Sequence, residues 1–168
     1  VWDGEVLRKG LIRFDWLHLH HEDFTGQYSK FFLNYSGAPW LADMVQRNQA
    51  IARELGFPNV PTEKRAVAEE IRAFVDRGGF LFAMCTATET LDLALASGRT
   101  DIAASYADGS PMDPDASRKM DWSRALAHLP RRGPLRIATA AAARSIKFGD
   151  GLVNGTACCR WCFWARAK

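Results

Sequence analysis

The stretch that most limits what this chain can fold into is Gly78-Gly79-Phe80-Leu81-Phe82-Ala83-Met84-Cys85-Thr86-Ala87-Thr88-Glu89-Thr90-Leu91-Asp92-Leu93-Ala94-Leu95. It reads as a helix stop, a strand, a sharp turn and a new helix. Five apolar residues without polar alternation after a glycine pair fit a strand covered on both faces, as in a parallel sheet. Leu91, Leu93, Ala94 and Leu95 give the following helix an apolar face, and Gly98 marks its end. Cys85 lies on the turn, at the carboxyl edge of the sheet and beside a helix amino end. Unpaired N–H groups and the helix dipole there favour a thiolate and can serve as an oxyanion hole. The same strand-turn-helix logic serves hydrolase nucleophile elbows, which usually place Gly two residues either side of the nucleophile. Ala83 and Ala87 hold those positions here. A cysteine after a strand is also commonly a small buried hydrophobe.

The second strand candidate is Leu11 to Asp23. With a period of two, Trp16, His18 and His20 share one face and Leu17, Leu19 and His21 the other. The cluster His20-His21-Glu22-Asp23 then falls at the carboxyl end, where open α/β sheets bind ligands. If the two strands are parallel neighbours, Cys85 and this cluster share one crevice. A parallel crossover needs a dozen or more residues and usually a helix, and two helices are readable between the strands. The first starts at Pro39, carries Trp40, Leu41, Met44, Val45, Ile51, Ala52 and Leu55 at spacings of three and four, and stops at Gly56. Phe57 to Pro61 is a rigid connector. Thr62 caps the second helix, which turns Val67, Ile71, Phe74 and Val75 inward and ends near Arg77. The segment Phe24 to Tyr35 is rich in aromatics, and its Gly26 would let backbone approach a ligand at the crevice. The acidic, turn-rich loop Asp108 to Asp115 either sits over the crevice or is a solvated connection.

A chain of 168 residues can bury a single core. No apolar run approaches the ~20 residues of a membrane span, and the opening at Val1 reads as part of a longer frame. Residues 1–128 are net acidic, whereas Leu129 to Lys168 holds eight Arg or Lys against Asp150 alone. A basic tail raises the question of nucleic acid or a membrane surface, but neither is expected as a partner. Cys158, Cys159 and Cys162 crowd the end, so spacing supports no disulfide framework. That leans the chain towards a reducing, cytoplasmic compartment.

Phe14-Asp15-Trp16-Leu17-His18-Leu19-His20-His21-Glu22-Asp23-Phe24-Thr25-Gly26-Gln27-Tyr28 and Gly78-Gly79-Phe80-Leu81-Phe82-Ala83-Met84-Cys85 resemble the class I glutamine amidotransferase-like domain of bacterial proteins of the asparagine synthetase B type. The likeness continues through Asp108-Gly109 and Asp113-Pro114-Asp115 to Lys119-Met120-Asp121-Trp122. It makes residues 1–128 a fragment of such a domain and implies an α/β, flavodoxin-like three-layer sandwich with a parallel central sheet, here incomplete. It also makes Cys85 the nucleophile that forms a glutamyl thioester. The implied substrate is a small-molecule amide such as glutamine, and the implied partners are the remaining domains of a longer parent chain. No P-loop-like phosphate motif is present, and no cofactor is expected. The family site also uses a His and a Glu well after the nucleophile. Only His128 follows Cys85, without a Glu at usable spacing. The partner therefore comes from His20, His21 and Glu22, or lies beyond this chain, or the domain does not catalyse.

On the catalytic reading, His20 or His21 is the base and Glu22 orients it. Backbone N–H groups of Thr86 and the Gly26 loop face the oxyanion, with Asp23 and Glu89 completing the ligand-binding set. A second reading is a non-catalytic amidotransferase-like domain that binds a ligand or docks a partner. A third is a metal-binding hydrolase built on His18, His20 and Glu22. Beyond His128 the pattern stops: 129–168 reads either as an out-of-frame end of a GC-rich gene or as a basic extension packing Trp161, Phe163 and Trp164 onto the domain.

Overall fold

The structure, a computed structural model, describes residues 3–27, 37–126, 138–139 and 162–165. Its elements in chain order are α1 (Asp3–Lys9), β1 (Trp16–His20), α2 (Pro39–Glu54), α3 (Val60–Asp76), β2 (Phe80–Met84) and α4 (Thr86–Ala96). Two short helices, α5 (Ser105–Asp108) and α6 (Ala116–Lys119), and a 3-10 turn at Trp122–Arg124 follow, then β3 (Ala138–Thr139) and β4 (Cys162–Ala165). The chain is of mixed α/β type. No helix among the described residues is long and apolar enough to cross a membrane.

The strand-helices-strand unit is present. β1 and β2 run parallel and pair from Trp16 with Phe80 to His20 with Met84. That register puts residues 20 and 84 side by side at the carboxyl edge, so whatever follows each strand emerges at the same place. The expected parallel central sheet is corrected beyond this pair. The sheet order is β1-β2-β4-β3, with β4 antiparallel to both β2 and β3. β3 and β4 belong to the basic tail. The rest of that segment, and with it the question of its reading frame, lies outside the described residues, as do Trp161 and His128.

α3 organises the core. Val67, Ala68, Ile71, Phe74 and Val75 recur at helical spacing and are all buried, each larger side chain contributing about 2 kcal/mol. They meet Leu17, Leu81 and Ala83 from the strands and Leu91, Ala94 and Leu95 from α4. The helix begins earlier than Thr62. Asn59 is its cap, with Oδ1 accepting from the Thr62 N–H at 2.9 Å, because an Asx side chain reaches back to the first turn and Pro61 needs no donor partner there. Asn59→Ala is expected to lower stability by about 1 kcal/mol in urea unfolding. At the other end Gly78, at φ +96, donates to the Val75 carbonyl and Gly79 to that of Phe74. This glycine-closed turn leads directly into β2.

Burial on both faces of β2 is not met. Leu81 and Ala83 are buried, but Phe80, Phe82 and Met84 are only half-buried, and Trp16 is 65% exposed. Trp16 packs edge-on against Phe80, and His18 against Phe82, in a stripe on the other face. The described helices therefore cover one side of the strand pair. α2 is also less buried than its pattern suggests. Leu41 and Ala52 are inside, while Trp40 is 47% exposed.

Candidate active site

Met84 ends β2, and Cys85 turns the chain into α4 with φ 55 and ψ −136. A non-glycine residue in this conformation carries about 1–3 kcal/mol of strain and persists only where its surroundings hold it. Here the surroundings are close. Ala83 and Ala87 are both fully buried, so the small side chains two residues either side of Cys85 let strand and helix pack tightly at the turn. Thr88 donates its N–H at 3.2 Å and its hydroxyl at 2.7 Å to the Cys85 carbonyl. The Thr90 hydroxyl joins the neighbouring loop at the Glu22 carbonyl, 2.9 Å away.

His20 is the last residue of β1, and its Nε2 lies 3.7 Å from Cys85 Sγ. His21 leaves the strand at φ 58, so it does not continue the Leu17–Leu19 face. Its ring stands edge-on to that of His20 at 3.8 Å between centroids, with the two Nδ1 atoms in contact. Both imidazoles are exposed and Cys85 is buried. One ligand atom from each of the three lies within 4.8 Å of the others.

The remaining sequence candidates do not join this group. The Glu22 carboxylate turns away from the histidines and accepts from Lys64 Nζ at 2.8 Å. It thus pairs with a buried ammonium and does not orient an imidazole. His18 Nε2 meets Met84 Sδ at 3.3 Å, and the ligand atoms that come together among the described residues are those of His20, His21 and Cys85, not the expected set of His18, His20 and Glu22. Asp23 Oδ1 closes its own turn, accepting from the N–H and hydroxyl of Thr25 at 2.9 and 2.5 Å. Gly26 is buried against Pro61, not open to a ligand, and its N–H donates to the Asp23 carbonyl at 3.3 Å. Glu89 is exposed on the first turn of α4. Thr86 Oγ1 is buried and has no hydrogen-bond partner among the described residues. The acidic loop is tied to the segment that follows α4, with Asp113 accepting from Thr100 Oγ1 and the Asp101 N–H.

The residues that the sequence reading missed lie one layer behind. Lys64 is buried and reaches Asp3 at 2.5 Å as well as Glu22. Burial opposes its charge, but Glu22 and Asp3 outweigh burial and hold its ammonium above the ordinary lysine range. Glu63 is 1% exposed, with Oε1 unpartnered among the described residues. Burial, then Asp3, and more weakly Glu22, push it up to about 7 against the opposing pull of Lys64. The available signal was helical period: Glu63 and Lys64 precede Val67 and Ala68 by four residues and share their inward face. The folded chain holds the Glu63 proton more tightly than the unfolded chain, whose carboxyl has the ordinary value of 4.5. Stability therefore falls as pH rises from about 4.5 to about 7, by about 3 kcal/mol. Urea unfolding across that window should show the slope in the native chain and its loss in Glu63→Gln.

Compared with protein-family models, with curated proteins and with solved structures, the chain matches none.

Proposed function

We propose that this chain is a class I glutamine amidotransferase-like domain that hydrolyses a small-molecule amide such as glutamine through Cys85. The observation that carries the reading is the strained elbow at Cys85 with His20 Nε2 3.7 Å from its sulfur. His20 accepts the thiol proton as Sγ attacks the amide carbonyl carbon, and the oxygen becomes an oxyanion. The backbone N–H of Thr86, and the Thr86 hydroxyl, which has no partner among the described residues, are donors for that charge. The tetrahedral species collapses to a thioester as the C–N bond breaks, and His20 returns the proton to the leaving ammonia. Water, deprotonated by the same imidazole, then attacks the thioester and restores the thiol. The parallel β1–β2 pair, its crossover helices and a site at the carboxyl edge are what a flavodoxin-like three-layer sheet would contribute, with further domains of a parent chain supplying the acceptor for the nitrogen. Ammonia release from glutamine by the full chain, against a Cys85→Ala blank, tests the reading; equal rates for both would reject it.

One observation favours a second reading, a non-catalytic domain of the same type that binds a ligand or docks a partner. Glu22, the carboxylate expected to orient the base, is engaged by Lys64. Glutamine binding detected calorimetrically without ammonia release would select this alternative.

A further inference from the structure

We propose that Cys85, His20 and His21 form a binding site for a zinc-class divalent cation. Each residue offers one ligand atom, and these atoms lie within 4.8 Å of one another. Zinc bonds of ~2.3 Å to sulfur and ~2.0–2.1 Å to nitrogen put tetrahedral ligand atoms roughly 3.5 Å apart. The Cys85 Sγ to His20 Nε2 distance of 3.7 Å is already close to that value, and the separations to the His21 ligand atom are no more than 4.8 Å.

The backbone supports the same set. Among the described residues, the non-glycine positions with positive φ are His21, Cys85 and Asp115, and two of these three converge here. Such strained positions cluster at functional sites and ligand clamps. One strained turn follows each of two strands in register, and together they bring a thiol and two imidazoles to one point.

The ligand chemistry selects the ion. A thiolate with two imidazoles suits zinc and its soft or borderline neighbours, whereas magnesium and calcium require oxygen ligands. Three protein ligands leave a fourth position, and the exposure of both histidines opens it to solvent, as in zinc sites that keep a labile water. On binding, the Cys85 S–H bond breaks, its proton goes to solvent, and the sulfur bonds the ion beside two neutral imidazoles. The thiol is then unavailable as a nucleophile, so the cation acts as a reversible block on any chemistry at Cys85. The site shares Cys85 and His20 with the hydrolytic reading, but binding does not rest on hydrolysis.

The test is a cobalt titration of the full chain, stripped with chelator and kept reduced, in a background with Cys158, Cys159 and Cys162 all replaced by Ser. A thiolate-to-cobalt charge-transfer band saturating at one equivalent and displaced by zinc is expected. Cys85→Ser should abolish the band. His21→Asn should weaken cobalt binding by about tenfold or more, and Asn tolerates the positive φ at that position. Circular dichroism checks the fold of each variant, and if Cys85→Ser does not fold, His21→Asn decides. Absence of the band in the serine background, its persistence in Cys85→Ser, or unchanged affinity in His21→Asn would overturn the site. A chain that binds cobalt in this way but releases no ammonia supports the site while rejecting hydrolysis.

Discussion

Cys85→Ala is expected to lower the rate of amide hydrolysis by roughly 10⁴-fold or more, the scale of losing the nucleophile from a group of residues that act as a unit. The loss should fall on kcat, because the thiol forms its bond only along the reaction and contributes little to ground-state binding. The Thr86 hydroxyl is the nearest oxygen nucleophile along the chain, but a hydroxyl is a much weaker nucleophile at neutral pH than a thiolate. A partner variant separates chemistry from folding. At φ 55 and ψ −136, glycine is free of the Cβ strain that alanine keeps, so Cys85→Gly should be about 1 kcal/mol more stable than Cys85→Ala. Two inactive variants that differ in stability in this order would show that the elbow is held under strain for the sake of the thiol. Residual turnover near the native rate in either would place the nucleophile elsewhere.

Gly26→Ala is expected to cost about 3 kcal/mol, the largest stability effect of any substitution argued for this chain. Part of the cost is conformational, since Gly26 sits at φ +67, where an L side chain loses about 1 kcal/mol. The larger part is steric. An added Cβ would lie 2.8 Å from the Pro61 nitrogen, 2.9 Å from its Cα and 3.0 Å from the Val60 carbonyl carbon. These are backbone atoms of the first turn of α3, so no side-chain rotation relieves the clash, and overpacking of this kind costs about 1–3 kcal/mol. The melting temperature should fall by roughly 10 °C. The loop that carries Gly26 continues from His20 and His21, so separation of loop and helix should also move His20 from Cys85 and lower activity in the fraction that remains folded. A loss under about 1 kcal/mol would mean that the Pro61 turn yields without strain.

Much of this was legible in the residues because it depends on local pattern. The glycine pair and unbroken apolar run fixed β2 and the turn at Cys85. The alternation from Trp16 to His20 separated the Leu17–Leu19 face from the Trp16–His18–His20 face, and the long apolar-periodic segments between the strands required a crossover. What escaped the reading depends on where side chains turn after an element ends. Nothing in His20-His21-Glu22-Asp23 tells that Glu22 leaves for Lys64 while His21 folds back on His20, because the left-handed turn at His21 decides it. Gly26 read as room for a ligand, whereas the room is taken by Pro61, a contact between segments 35 residues apart in sequence. The antiparallel entry of β4 had no alternating pattern to announce it. The Glu63–Lys64 pair was readable from helical period, but charged residues on an apolar face are easily assigned to its edge.

The central claim is that Cys85 is a nucleophile aimed at an amide carbonyl. It is tested most directly with a chloroketone analogue of glutamine, which places a carbon electrophile where the amide carbonyl would bind. The full chain would be incubated with the reagent and the alkylated peptide identified by mass spectrometry. The account predicts one adduct, on Cys85, formed well ahead of any on Cys158, Cys159 or Cys162 and slowed by excess glutamine. Labelling confined to the tail cysteines, or labelling of Cys85 that glutamine does not slow, would contradict it.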